Sequence, residues 1–260
     1  MKQWYLGTIG FSYKDWVGAF YPSGTNQRAF LPFYSKVFNC VELDSTFHSI
    51  PRHANIISWL NSTPSDFRFC FKTPRLITHD LKLNGAEAAM DEFLTSIEFM
   101  QEKLGPILIQ LSPKFSQKSI PIVENFLSSL PQNYRYAIEF RHSSWYNTKT
   151  SQMLSDHKVC WVANDFPTLP KQINLTTDFL FLRWIGVNGM YQYHSYERED
   201  KSEQLNGWLD LILSYSKNVQ QVYGFFNNDY TGFAAGTCKR FMQIAGLIEN
   251  IELPYQERLF

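Results

Sequence analysis

Cysteine is scarce here, with four in 260 residues, and none stands in a CxxC pair. That excludes a thioredoxin-type redox motif and the usual paired spacing of a structural zinc site. Cys40, Cys70 and Cys160 sit in apolar, strand-like runs (CVEL, FCFK, VCWV), where buried free thiols fit better than disulfides. With Cys238 they suggest a reducing compartment. Long apolar runs are missing too: none approaches the ~18 residues needed to cross a bilayer. The opening residues MKQWYLGTIGF are too short and too polar for a secretory leader. A cytoplasmic protein without membrane contact is the expectation. An excess of one charge is also lacking, since 24 Lys and Arg balance 24 Asp and Glu. No bulk attraction to nucleic acid or anionic lipid follows.

Two further absences narrow the chemistry. No GxGxxG follows the first apolar run, which removes the main support for a dinucleotide fold. The histidines (His48, His53, His79, His142, His157 and His194) form no HxH or HExxH pair. No cofactor or metal centre is expected. A single Mg2+ on Glu139, Asp165 or Asp229 is the lesser alternative, because hard carboxylates suit it.

What the chain does have is regular alternation. Short apolar runs at 5–9, 40–43, 67–72, 107–110, 136–139, 159–163, 180–183 and 222–226 read as strands, several apolar throughout, as in a sheet covered on both faces. Helical stretches fall at 26–38, 54–61, 87–104, 119–130, 149–157, 202–217 and 233–245, and the interval after Asn164 holds two prolines and no helical pattern. Such alternation argues for parallel pairing through right-handed crossovers. Repetition over about 250 residues favours a (β/α)8 TIM-type barrel over an open doubly wound sheet. Linkers, repeats and low-complexity tracts are absent, so a single domain over 1–260 is expected.

Charge gathers where the apolar runs end. CVELD ends on Glu42 and Asp44, FRFCFK on Lys72, ILIQ on Gln110, YAIEFRH on Glu139, Arg141 and His142, WVAND on Asn164 and Asp165, FLFLR on Arg183, and YGFFNND on Asn227, Asn228 and Asp229. Catalytic groups of a barrel collect at these C-terminal ends, where loops vary without unpacking the layers below. A strand turning polar as it exits would explain any one position. A set containing residues as costly to bury as Lys72, Glu139 and Arg183 calls for mutual partners. The loops expected on that face, 10–22, 73–85 and 184–200, are long. They carry Tyr13, Trp16, Arg75, His79 and several tyrosines, which either meet a ligand or form a small core beneath a lid.

The same blocks resemble the domain of unknown function 72 family. The likeness runs from GTIGFSYKDWVGAFYP through VELDSTFHSIP, FRFCFKTPRLITH, GPILIQLSPKF, AIEFRHSSW and FLRWIG to FFNNDYTGFA. The resemblance implies a TIM-type fold and locates a site without naming a chemistry. It matches Glu42 to the family's VE(I/V)NSTFY block, where Asp44 replaces the usual Asn and His48 the usual Tyr. It also matches Lys72, Arg75, Thr78 and His79 to K-x-P-R and I-T-H, Glu139, Arg141, His142 and Trp145 to E-F-R-H-x-S-W, and Asn227, Asn228 and Asp229 to N-N-D.

The catalytic candidates are therefore Glu42, Lys72, Glu139, His142 and Asp229. The substrate-binding candidates are Tyr13, Trp16, Arg75, His79, Gln110, Arg141, Trp145, Asp165, Arg183, Asn227 and Asn228. Carboxylates in a dry, charged cleft suit proton transfer. Lys72 and the arginines suit a carboxylate or phosphate, unless each arginine simply neutralises a neighbouring carboxylate. A retaining glycosidase fits poorly, because the strand-four and strand-seven ends carry Gln110 and Arg183 instead of a carboxyl pair. The leading expectation is a hydrolase- or lyase-type acid/base enzyme for a small polar or anionic substrate, phosphorylated or carbohydrate-like. A nucleic-acid-binding protein or repair-type phosphoesterase is one alternative, and a non-catalytic ligand-binding barrel another. The sequence carries no signal for oligomeric state.

Overall fold

The computed structural model describes residues 3–249. Residues 1–2 and 250–260, the two ends of the expected domain, lie outside the described residues. The strands are β1 (Gln3–Ile9), β2 (Cys40–Leu43), β3 (Arg68–Phe71), β4 (Ile107–Gln110), β5 (Tyr136–Glu139), β6 (Cys160–Trp161), β7 (Ala163–Asp165), β8 (Phe179–Trp184) and β9 (Gln221–Phe226). Between them run α1 (Phe30–Tyr34), α2 (His53–Asn61), α3 (Glu87–Ile97), α4 (Ile120–Ser129), α5 (Thr148–Asp156) and α6 (Ser202–Ser214), and after β9 come α7 (Asn228–Thr231) and α8 (Ala234–Ile244).

The chain is an α/β protein with parallel strand pairing. One sheet runs β3-β2-β1-β9-β8-β7 and the other β4-β5-β6. Parallel bridges join Phe69 to Leu104 and Lys72 to Leu108 between the two sheets. At the other junction Val162 alone separates β6 from β7, and its N–H donates to Ile138 O at 2.9 Å. The expected strand 159–163 is thus a longer segment interrupted once.

Helices differ from the sequence expectation mainly at their ends. The stretch 26–38 shortens to one 3-10 turn and α1, with Pro32 inside the short helix. The stretch 87–104 stops at Ile97 and continues as 3-10 turns through Gln101, whose φ is 49°. Beyond these turns Gly105 passes so close to β3 that a Cβ there would meet Cys70 Sγ at 2.6 Å. Helix starts follow local rules, as where Asn147 Oδ1 accepts from Thr150 N to cap α5.

Packing divides the buried apolar residues into two clusters. The outer one lies between strands and helices and holds residues such as Val41, Phe69, Ile138, Trp161, Leu182 and Phe226. The inner one holds Tyr5, Ile9, Cys40, Cys70, Leu108, Ala137, Cys160, Val162, Phe179, Phe181, Tyr223 and Phe225. Apart from β7, which adds only Ala163 to the outer cluster, each strand contributes alternating residues to both clusters, as the two-residue period of a strand requires. All four cysteines are free and buried.

Candidate functional site

Counting by twos from the inner cluster toward the C-terminal strand ends decides which polar residues share a face. Cys40 leads to Glu42, Cys70 to Lys72, Leu108 to Gln110, Ala137 to Glu139 and then Arg141, Val162 to Asn164, Phe181 to Arg183, and Phe225 to Asn227. The apolar inner core is therefore topped by a polar layer drawn from β2, β3, β4, β5, β7, β8 and β9.

Arg183 is the hub of that layer. Its side chain is only 4% exposed. Nε donates to Glu42 Oε2 at 2.8 Å and Nη2 to Glu42 Oε1 at 2.7 Å. Nη1 donates to Glu139 Oε2, and the other Glu139 oxygen accepts from Arg141 Nε. Both carboxylates are fully buried. Buried charges persist only when paired and hydrogen-bonded, and the guanidinium fork meets that requirement for two carboxylates at once. Burial would push the Glu139 carboxyl up, but Arg141 and Arg183 outweigh it and hold the group below the usual carboxylate range. Burial prevails at Glu42, whose carboxyl is raised despite Arg183. The two acids of one arginine are thus driven apart.

Lys72 is placed differently. Its backbone follows β3, bridged to Leu108, and its ammonium lies 4.1 Å from the centre of the Phe47 ring. No carboxylate lies within ion-pair distance of Nζ among the described residues. Burial, followed by the Arg183 guanidinium, lowers the amine to about 8, with Glu42, Glu139 and Asp44 opposing more weakly. His79 belongs to the same neighbourhood: its ring meets Phe47 edge-on at 5.0 Å, and burial and then Lys72 lower its pKa.

Asn164 was not among the candidate site residues, whereas its neighbour Asp165 was. The structure separates them by face. Asp165 points outward: Oδ2 accepts from Trp208 Nε1 at 2.9 Å and Tyr230 Oη at 2.8 Å, and Oδ1 lies 3.2 Å from Lys171 Nζ. Asn164 points inward beside Arg183, its register partner, is 2% exposed, and has one loose polar contact, with the Tyr146 hydroxyl, and no other partner for its amide atoms. Tyr146 stands near it, its hydroxyl pushed up to about 12 by burial and then by Glu139. Counting by twos from Cys160 would have found Asn164.

The other candidates divide between the mouth and the scaffold. Tyr13 covers the mouth, its hydroxyl donating to Ile9 O at 2.6 Å and raised by burial, then by Asp44 and Glu42. Asn227 Oδ1 accepts from Asp229 N, starting α7. Asp229 Oδ2 accepts from Gly189 N at 3.2 Å, and Gly186 passes so near that a Cβ would meet Asp229 O at 2.0 Å. Trp16 and Asn228 are tied to each other at 3.3 Å, Asn228 also capping Ala234 N, so both sides of that bond are scaffold. Trp145 is fully buried, donating to Phe115 O and stacked on Phe140 at 4.3 Å. Arg75 is exposed and pairs with Asp80 at 3.2 Å. His142 Nδ1 lies 2.8 Å from Ser144 Oγ and borders a separate open cavity with Gln117, Lys118 and Lys149. Glu139, Asp165 and Asp229 are engaged separately, and no group of three His, Cys, Asp or Glu suited to a metal occurs among the described residues. Nor does any described helix have the length and apolarity to cross a membrane.

The profile described as "Protein of unknown function DUF72" matches residues 5–257. UPF0759 protein YecE of Escherichia coli (strain K12) is 32% identical over 142 residues, 55% of this chain and 50% of its own length, so the chain spans about half the length of this curated relative. UPF0759 protein YunF of Bacillus subtilis (strain 168) is 25% identical over 298 aligned positions, covering 98% of this chain and 99% of that protein. The crystal structure of a DUF72 family protein from Thermotoga maritima matches with a TM-score of 0.82 at 33% identity, covering 94% of this chain and 99% of that one. A DUF72 family structure from Enterococcus faecalis matches with a TM-score of 0.78 at 22% identity, covering 98% and 100%, a likeness of fold alone.

Proposed function

The chain belongs to the DUF72 family, and from that premise we propose that it is an enzyme whose polar layer binds a small anionic substrate and exchanges a proton with it through Lys72. The observation that carries this reading is the lone Lys72 ammonium. Glu42 and Glu139, the first choices for proton transfer by residue type, have their oxygens taken by Arg183 and Arg141. Lys72 has no such partner, and an amine near 8 can both take and return a proton close to neutrality. Of the cations Lys72, Arg141 and Arg183, set beside Glu42, Glu139 and Asp44, only Lys72 has no carboxylate at ion-pair distance, which favours an anionic ligand there. Asn164, whose one loose contact is with the Tyr146 hydroxyl, offers that ligand further amide hydrogen-bonding capacity.

In this reading the two sheets form one closed eight-staved barrel in a single domain, β6 and β7 sharing a stave. The bridges Phe69–Leu104 and Lys72–Leu108 support closure on one side and the Val162 hydrogen bond on the other. Four buried free thiols suit a reducing, cytoplasmic setting.

The test is a thermal-shift and turnover screen with sugar phosphates and with hydroxy- and oxo-acids. A ligand that raises the Tm of the wild type should fail to do so for Lys72→Met, and its turnover should rise with pH through a limb near 8 when Lys72 acts as base. Undiminished turnover by Lys72→Met would remove Lys72 from the chemistry.

A further inference from the structure

We propose that the Lys72 amine condenses with the carbonyl group of a small anionic aldehyde or ketone, holding it as an imine above the inner core. This rests on the reading of Lys72 as the proton-exchanging group and adds a covalent step and a substrate class to it. Geometry supports the step in three ways. Nζ has no carboxylate at ion-pair distance to lock it as an ammonium ion, and burial disfavours the charge that the Phe47 ring, 4.1 Å away, only modestly supports. The neighbouring Arg183 stays cationic between its two carboxylates and presses the same way. Asn164, buried and held only by a loose contact with the Tyr146 hydroxyl, offers a donor to the oxygen that develops as the carbonyl is attacked.

The step balances without an oxidant. The free amine's lone pair attacks the carbonyl carbon, a C–N bond forms, and the C=O π pair moves to oxygen. That oxygen takes the proton lost by nitrogen, giving a carbinolamine. Protonation of its hydroxyl releases water as the nitrogen lone pair forms the C=N bond, leaving a cationic iminium. The anionic group of the substrate offsets the positive charge of the iminium.

Lys103 supplies an internal contrast. Its amine is also lowered, by burial and then Arg68. Yet Nζ donates to Leu60 O at 2.8 Å, Thr63 O at 2.7 Å and Thr63 Oγ1 at 3.1 Å, which occupies all three of its protons. A lowered amine that is fully tied should not condense, and an untied one should.

The experiment uses the full chain with pyridoxal 5′-phosphate or pyruvate, near pH 7.5, followed by sodium borohydride and peptide mass mapping. At that pH the share of free amine is roughly 200-fold larger for a pKa of about 8 than for 10.5. Partial burial slows access, so Lys72 is expected to be labelled about tenfold ahead of Lys103 and of the exposed Lys118 and Lys149 with at least one probe. Lys72→Arg, with its fold checked by circular dichroism, should abolish that adduct and leave the background unchanged. Labelling spread over exposed lysines, with no preference for Lys72 from either probe, overturns the imine. If ligand stabilisation in the Tm screen still depends on Lys72, proton exchange then stands without it. If Lys72→Met changes nothing there either, both readings fall.

Discussion

The inner core ends in an arginine at each rim, and the two are used differently. At the strand starts, Arg135 pairs with Asp178 at 3.0 Å, hydrogen-bonds Gln221 and lies 4.0 Å over Phe179. Its side chain is 38% exposed and that of Asp178 57%. A cavity of about 350 Å³ opens beside it, lined by Tyr136, Val159 and Phe179 among others. At the strand ends, Arg183 is buried between two buried carboxylates. Water screens the first arrangement, so its charges cost little and contribute little. It is excluded from Glu42, Glu139 and Arg183, so each of those charges must be answered by protein, and half-buried Lys72 beside them, with no carboxylate partner, becomes chemically responsive. The lesson is that a hollow does not by itself make the better site. Buried, imperfectly matched charge marks the rim where chemistry is expected.

The comparison is broken most decisively at Arg183. Arg183→Met leaves Glu42 and Glu139 buried without their shared partner, and the loss of stability in urea unfolding should be about 3–5 kcal/mol. A loss no larger than that of an exposed pair would mean that the two rims do not differ as described.

A smaller effect should appear in the pH dependence of Lys72. The unfolded chain holds this proton to about 10.5 and the folded chain only to about 8. Below pH 8 both states are protonated and the folded state bears the full cost of the buried ammonium. Between about 8 and 10.5 the folded state has released the proton while the unfolded state keeps it, so this group's contribution to stability rises with pH. The stability of wild type relative to Lys72→Met should therefore climb by about 2 kcal/mol across that window, after allowance for partial exposure. A flat difference would show that Lys72 titrates normally.

The smallest effect belongs to the open rim. Arg135→Met should cost less than about 1 kcal/mol in the same unfolding assay and respond to added salt. A cost rivalling that of Arg183→Met would erase the contrast.

Much of this was legible from the residues. The apolar runs gave β2, β4 and β5 to the residue, and the strand-end positions of Glu42, Lys72, Glu139 and Arg183 followed from them. Two things were not legible. The side on which a strand-end residue emerges turns on a count of one, and Asn164 and Asp165, adjacent polar residues after the same run, end on opposite faces. Whether an aromatic meets a ligand or a neighbour also depends on distant chain: Trp16 is held by Asn228 and Trp145 by Phe115 O.

Sequence alone settled that strands alternate with helices and that charge gathers where strands end, because both follow from local patterning of apolar and polar side chains. Only the tertiary structure decided which charges neutralise one another. Arg183 reaches Glu42 across 141 positions and Glu139 across 44, and a pairing between remote strands leaves no spacing to read along a chain. Lys72 was left as the unmatched group by that pairing and not by anything in its own neighbourhood of sequence.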